Sequence, residues 1–208
     1  MKKLLLITSI AMVSFGCSQN NTSVEQTAEK LVTQKNSSLF TMSDKALTDK
    51  NNIINLPNVE RVIIANTHFR LHEESSEYAT FYDDPKTDSL GIDATNVAFR
   101  TKYAKASYTI TEAEEGRFKL GFVSLSEFDG ESHYKVFVNE KLVGDFTNPR
   151  TELDFHEVYF KTNDALALVT GDVITVKAIA ASNGLIPENG GYAWARGRWR
   201  AVTLLSIK

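Results

Sequence analysis

"GRFKLGFVSLSEFDGESHYKVFVNEKLVGDF", residues 116–146, decides the fold. Gly116–Ser124 alternates apolar and polar side chains with the two-residue period of a strand. Asp129-Gly130 then marks a turn, and His133–Val138 alternates again. Asn139-Glu140-Lys141 reverses the chain into Leu142–Phe146, which makes the last two runs a hairpin.

The same texture extends outward. Val59–Ile64, Asn96–Arg100, Tyr103–Thr111, Leu153–Phe160, Val173–Ala180 and Trp194–Ile207 read as further strands, with Gly171-Asp172 and Asn183-Gly184 as turns. About eight to ten strands in roughly 150 residues, with no convincing long helix, predict an all-β fold: a two-sheet antiparallel β-sandwich of jelly-roll type.

Residues 116–146 resemble the middle of the galactose-binding-like carbohydrate-binding modules. There a glycine opens an alternating strand, an acidic-Gly loop follows, and a second strand ends in Val138-Asn139 before a short turn and Val143-Gly144. "ALVTGDVITVKAIAASNG", 167–184, is similar to the family's next part, where Gly171-Asp172 starts a Val/Ile strand. The resemblance implies a jelly roll that binds polysaccharide or oligosaccharide. It also raises a structural calcium, for which Glu73-Glu74 is the acidic pair nearest to the family's early Ala-Glu signature. Asp83 and Asp84, in the acidic loop with Asp88, offer another set of oxygen ligands.

The N-terminus reads as an export signal. Lys2 and Lys3 precede an apolar run from Leu4 to Val13, too short to span a bilayer comfortably. Ser14-Phe15-Gly16-Cys17 resembles a bacterial lipobox, which implies removal of residues 1–16 and lipidation of Cys17, the sole cysteine. Ser18 after it, by analogy with Gram-negative lipoproteins, favours the outer membrane. Residues 17–57 are polar and read as a lipidated tether. Ser23-Val24-Glu25-Gln26 could cap a short helix over 25–34. The sandwich is expected over 58–208. Loss of Lys2 and Lys3 leaves 21 of 23 basic side chains against 26 acidic ones, net −5, which disfavours nucleic acid as a partner.

"YAWARGRWRAV", 192–202, concentrates the candidate binding chemistry. Strand parity puts Tyr192, Trp194, Arg196, Arg198 and Arg200 on one face and Ala193, Ala195, Gly197 and Trp199 on the other. Aromatic rings stack on the C–H face of a sugar, and the planar arginine fork matches a uronate carboxylate or sulfate. Asn183, Glu188 and Asn189, in the loop just before, would stand at the strand's entry. The opposing reading packs Trp194 in the core and pairs the arginines with acids of a neighbouring strand.

Catalysis finds little support. "PRTELDFHEVYFK", 149–161, contains two words found in jelly-roll alginate lyases. In that family they lie on separate strands around a Gln-Ile-His element; here both fall within twelve residues and the element is missing. His68 and His72 would share a metal only on a helix, since on a strand they stand ~13 Å apart. The sequence therefore points to a non-catalytic, lipid-anchored polysaccharide-binding protein without a cofactor. Its partners would be enzymes or other envelope proteins. The alternatives are a jelly-roll polysaccharide lyase or hydrolase, and a structural or interaction lipoprotein.

Overall fold

The computed structural model describes residues 37–40 and 57–207. In chain order the first strands are β1 (Ser37–Phe40), β2 (Val59–Ile64), β3 (Arg70–Leu71), β4 (Tyr78–Ala79), β5 (Phe81–Asp84) and β6 (Ser89–Ile92). Then come β7 (Tyr103–Thr109), β8 (Gly116–Leu125), β9 (His133–Val138), β10 (Lys141–Thr147) and β11 (Glu157–Thr162). The chain closes with β12 (Leu166–Leu168), β13 (Val173–Ile179), β14 (Pro187–Glu188), β15 (Gly191–Tyr192) and β16 (Trp199–Ser206).

Eight strands make one sheet in the order β1-β11-β8-β16-β6-β5, with β12 also on β8 and β2 on β16. The facing sheet runs β10-β9-β13-β7-β3, with β4 added to β7. Pairing is antiparallel except between β4 and β7. The fold is thus the expected antiparallel β-sandwich. In the β9–β10 hairpin, Asn139 (φ 47°) and Glu140 (φ 68°) take the left-handed conformation that a tight reversal between twisted strands demands.

One aromatic-rich core fills the space between the sheets. Phe122 stacks on Trp199 at 5.6 Å and on Phe146 at 5.6 Å, while Phe69 meets Trp199 edge-on at 4.9 Å. Trp199 has no exposed surface. Trp199 lies in the core, on the side that strand parity over 192–202 gives it, but the parity does not continue past it. The register of β16 against β8 shifts between Trp199 and Ala201, so Arg200 occupies a bulge. Past it, Val202 and Leu204 join Trp199 in the main core, and Ala201 packs with Val123 and Tyr159 in a separate cluster.

Four expectations are corrected. Asn96–Arg100 is not a strand: the Asn96 carboxamide accepts the Ala98 N–H at 3.1 Å and opens a 3-10 turn, Val97–Phe99. Residues 149–156 form a loop, and β11 begins only at Glu157. Residues 193–198, read as the start of the last strand, are irregular apart from a bridge between Ala181 and Ala195. The segment read as a tether supplies β1, which pairs with β11. The helix anticipated over 25–34, the leader 1–16 and Cys17 lie outside the described residues.

Candidate functional site

At one end of the sandwich, β8, β10 and β13 finish and β9, β11 and β16 begin. The connections there, together with the β5–β6 hairpin, hold the candidate residues. After β13, the Ala181–Ala195 bridge turns the chain into the β14–β15 hairpin. At its tip Asn189 and Gly190 both take positive φ, and Glu188 and Asn189 are exposed. Gly130 lets the β8–β9 loop touch this segment, since a Cβ there would stand 2.3 Å from the Ala181 carbonyl oxygen. Asn183 serves the same junction: its amide donates to the Phe128 carbonyl at 2.8 Å and its side-chain oxygen accepts the Leu185 N–H. Its polar ends are therefore engaged inside the protein.

Residues 196–198 lie outside any strand. The Ile92 and Leu125 N–H groups, at the ends of β6 and β8, donate to the Arg196 and Arg198 carbonyls, and side chains below satisfy further backbone groups. Buried Glu127 accepts the Arg196 N–H at 2.9 Å, Ser132 accepts that of Gly197 at 3.1 Å, and Tyr134 donates to the Arg198 carbonyl at 3.0 Å. Burial pushes Glu127 up to about 7, against the opposing pull of the Arg198 guanidinium.

The arginines separate into two kinds. Arg198, expected to face solvent, is 8 % exposed; it donates to Asp84 at 2.8 Å and pairs with Glu127. Arg200 is equally enclosed and pairs with Glu157 and Asp88. These two arginines are paired with acids, as the opposing reading held, because a guanidinium below the surface requires carboxylate partners. The acids, however, come from β5, β11 and two connections rather than from a strand neighbouring β16. Arg196 differs. It is half-buried, donates to the Tyr82 hydroxyl at 3.0 Å, and among the described residues forms no ion pair.

Tyr192 is 53 % exposed, and Trp194 is half-buried with the Arg100 guanidinium 5.1 Å from its ring centre. That contact holds the indole in place. Trp194 and Arg196 form a ridge between two recesses. One, about 410 Å³, is walled by Arg100, Glu188, Asn189 and Tyr192. The other, about 530 Å³, is walled by Tyr82, Glu127, Asp129, Asp154, Phe155 and Arg198. Both fall in the size range of small-molecule sites, roughly 300–1,000 Å³. Sequence reading missed Arg100, Asp129 and Phe155, which come from three other connections, and Tyr82, which lies on β5.

The metal candidates are not brought together. Glu73 and Glu74 are exposed between β3 and β4, Asp83 accepts from Asn66, and Asp84 is committed to Arg198. Among the described residues no group of three or more His, Cys, Asp or Glu could hold a metal ion. His68 ends a single helical turn, Ala65–His68, while His72 lies beyond it and bonds Ser107. The lyase-like words also part: Arg150 is exposed in a loop, and Tyr159 is buried in the cluster with Val123.

No protein-family model matches the chain. Over 111 residues it is 30 % identical to "Uncharacterized protein P23" of Formosa agariphila; the match covers 51 % of this chain and 24 % of that protein. The chain thus spans about a quarter of that relative's length. Among solved structures it is similar to a CBM35 from Paenibacillus barcinonensis, with 11 % identity and a TM-score of 0.38, over 71 % of this chain and 99 % of that one. It is also similar to a Paenibacillus sp. cycloisomaltooligosaccharide glucanotransferase complexed with cycloisomaltoheptaose. That match has 16 % identity and a TM-score of 0.33, over 71 % of this chain and 18 % of that one.

Proposed function

We propose that this chain binds polysaccharide without transforming it, at the Trp194–Arg196 ridge, and that it prefers anionic chains carrying uronate or sulfate. The observation that carries the reading is the pairing on that ridge. An accessible indole, pinned by Arg100, stands beside a guanidinium with no carboxylate partner among the described residues. The indole suits the apolar face of a pyranose, and Arg196 suits its carboxylate or sulfate. Tyr192, Glu188 and Asn189 border the same recess and offer hydroxyl partners.

Trp194→Ala is expected to weaken binding to alginate or a sulfated galactan by ~1–3 kcal/mol, the scale of a lost stacking platform. Its melting temperature should stay close to the parent's, because the indole is half-buried. Arg196→Ala should lose affinity for the charged chains alone, and added salt should shrink that loss. Isothermal titration decides the matter: full affinity in Trp194→Ala would remove the ridge from the site.

The reading includes attachment through lipidated Cys17, on the side of the membrane where such glycans are met. Cys17→Ser should move the protein from the membrane fraction to the soluble one. Retention of the variant in carbonate-washed membranes would contradict the anchor.

A further inference from the structure

We infer that the recess on the far side of the ridge is a second sugar subsite, with Phe155 as its stacking platform, and that it takes a neutral, hydroxyl-bearing ring. This rests on the glycan-binding reading of the ridge and extends it from one ring to at least two.

Phe155 is the first observation. It holds φ at 61°, a region that a side chain of this size enters only at an energetic penalty, and its backbone N–H is fixed to the Ser126 carbonyl at 2.7 Å. The loop nevertheless leaves the ring 44 % exposed, so the strain gains no apolar burial of the usual kind. The ring is also immobilised. One side lies 5.0 Å from the Arg198 guanidinium carbon, and that guanidinium is clamped between Asp84 and Glu127. A strained, rigidly backed and exposed aromatic ring lining a cavity is what a stacking ligand requires.

The second observation is Asp129 on the same wall. Its Oδ1 is inaccessible to solvent and accepts no hydrogen bond among the described residues. The Oδ1 is out of a ligand's reach, but the carboxylate as a whole is only half-buried on the recess wall, where it can accept from a sugar hydroxyl. Charge then selects the class of ring. Asp84, Glu127, Asp129 and Asp154 line this recess against Lys86, Arg196 and Arg198, and Arg198 is already paired twice. A uronate or sulfate there would meet a formal excess of one negative charge once Glu127 is ionised, whereas a neutral ring can donate to the carboxylates. Trp194 and Arg196 border both recesses, so a chain crossing the ridge would place an anionic residue on the Arg100 side and a neutral one over Phe155.

Two probes separate the subsites: a sulfated galactan in which neutral and sulfated residues alternate, and alginate, in which every residue is charged. In titrations with the whole chain, Phe155→Ala and Asp129→Asn should each lower affinity for the alternating galactan by about tenfold. Both should leave alginate binding within about twofold of the parent, while Trp194→Ala should weaken both probes. Phe155→Gly, which relieves the φ penalty, should bind the galactan as weakly as Phe155→Ala and melt no lower. If Trp194→Ala loses affinity while Phe155→Ala and Asp129→Asn keep it for both probes, the second subsite is wrong and the ridge stands. If Trp194→Ala binds both probes normally, or the parent binds neither, the underlying glycan reading fails and this inference with it.

Discussion

Trp199→Ala should destabilise the chain by ~3–5 kcal/mol, the usual result of emptying a core tryptophan site. The indole is wholly buried, stacks on Phe122, and meets the edges of Phe69 at 88° and Phe81 at 65°. Phe122 and Phe81 belong to the same eight-stranded sheet as Trp199 and Phe69 follows the helical turn after β2, so the cavity would open on the inner face of that sheet. One term pulls the other way. The indole Nε1 has no hydrogen-bond partner among the described residues, so truncation also removes an unsatisfied buried donor. The loss should therefore sit toward the lower end of the range. Urea midpoints measure it, and a value below about 1 kcal/mol would show that Trp199 does not anchor the core.

Arg198→Met is expected to be comparably damaging, for an electrostatic reason. It leaves Asp84 and Glu127 buried without their shared cation, and breaking a buried pair in this way costs ~3–5 kcal/mol. The deficit should depend on pH. Burial already lifts Glu127 to about 7 with the guanidinium present. Burial would lift Asp84 too, but its hydrogen bond to Arg198 and that charge hold it below the ordinary 3.8. Without the cation Glu127 rises further above its unfolded value, and Asp84 loses the interactions with Arg198 that lower it. The folded variant then keeps protons that the unfolded chain has released. The penalty is small below about pH 4, where both states are protonated, and grows as pH rises through and beyond 7. Urea midpoints at about pH 5 and about pH 8 should show the larger deficit at the higher value. An equal or smaller deficit there would mean that the carboxylates do not depend on Arg198.

The strands that build the sandwich were legible because alternation is local. The cores of β2, β8, β9, β10 and β13 follow from side chains two residues apart, and the β9–β10 turn follows from Asn139. The burial of Trp199 was legible for the same reason. What parity could not carry was the bulge at Arg200, which shifts register through pairing with β8 rather than through anything in the stretch itself. The fate of the arginines was equally hidden. Arg198 finds Asp84 at a separation of 114 residues and Glu127 at 71, so nothing beside it in sequence marks it as a buried ion. Arg196, two residues earlier and of the same type, has only the Tyr82 hydroxyl as a guanidinium partner among the described residues. The left-handed backbone of Phe155 leaves no trace in the letters around it, since such positions usually announce themselves as glycine or asparagine. Edge strand β1 escaped because four residues of weak alternation within a polar segment carry no usable period.

The central claim is that sugar stacks on Trp194, and the chain's two tryptophans allow it to be read directly. In a Trp199→Phe chain, Trp194 is the only indole. Acrylamide quenching of its fluorescence should fall severalfold when alginate or sulfated galactan is added to saturation, because a stacked ring shields the indole. If the polysaccharide binds and quenching of Trp194 stays as it was, the ridge is not where the glycan sits.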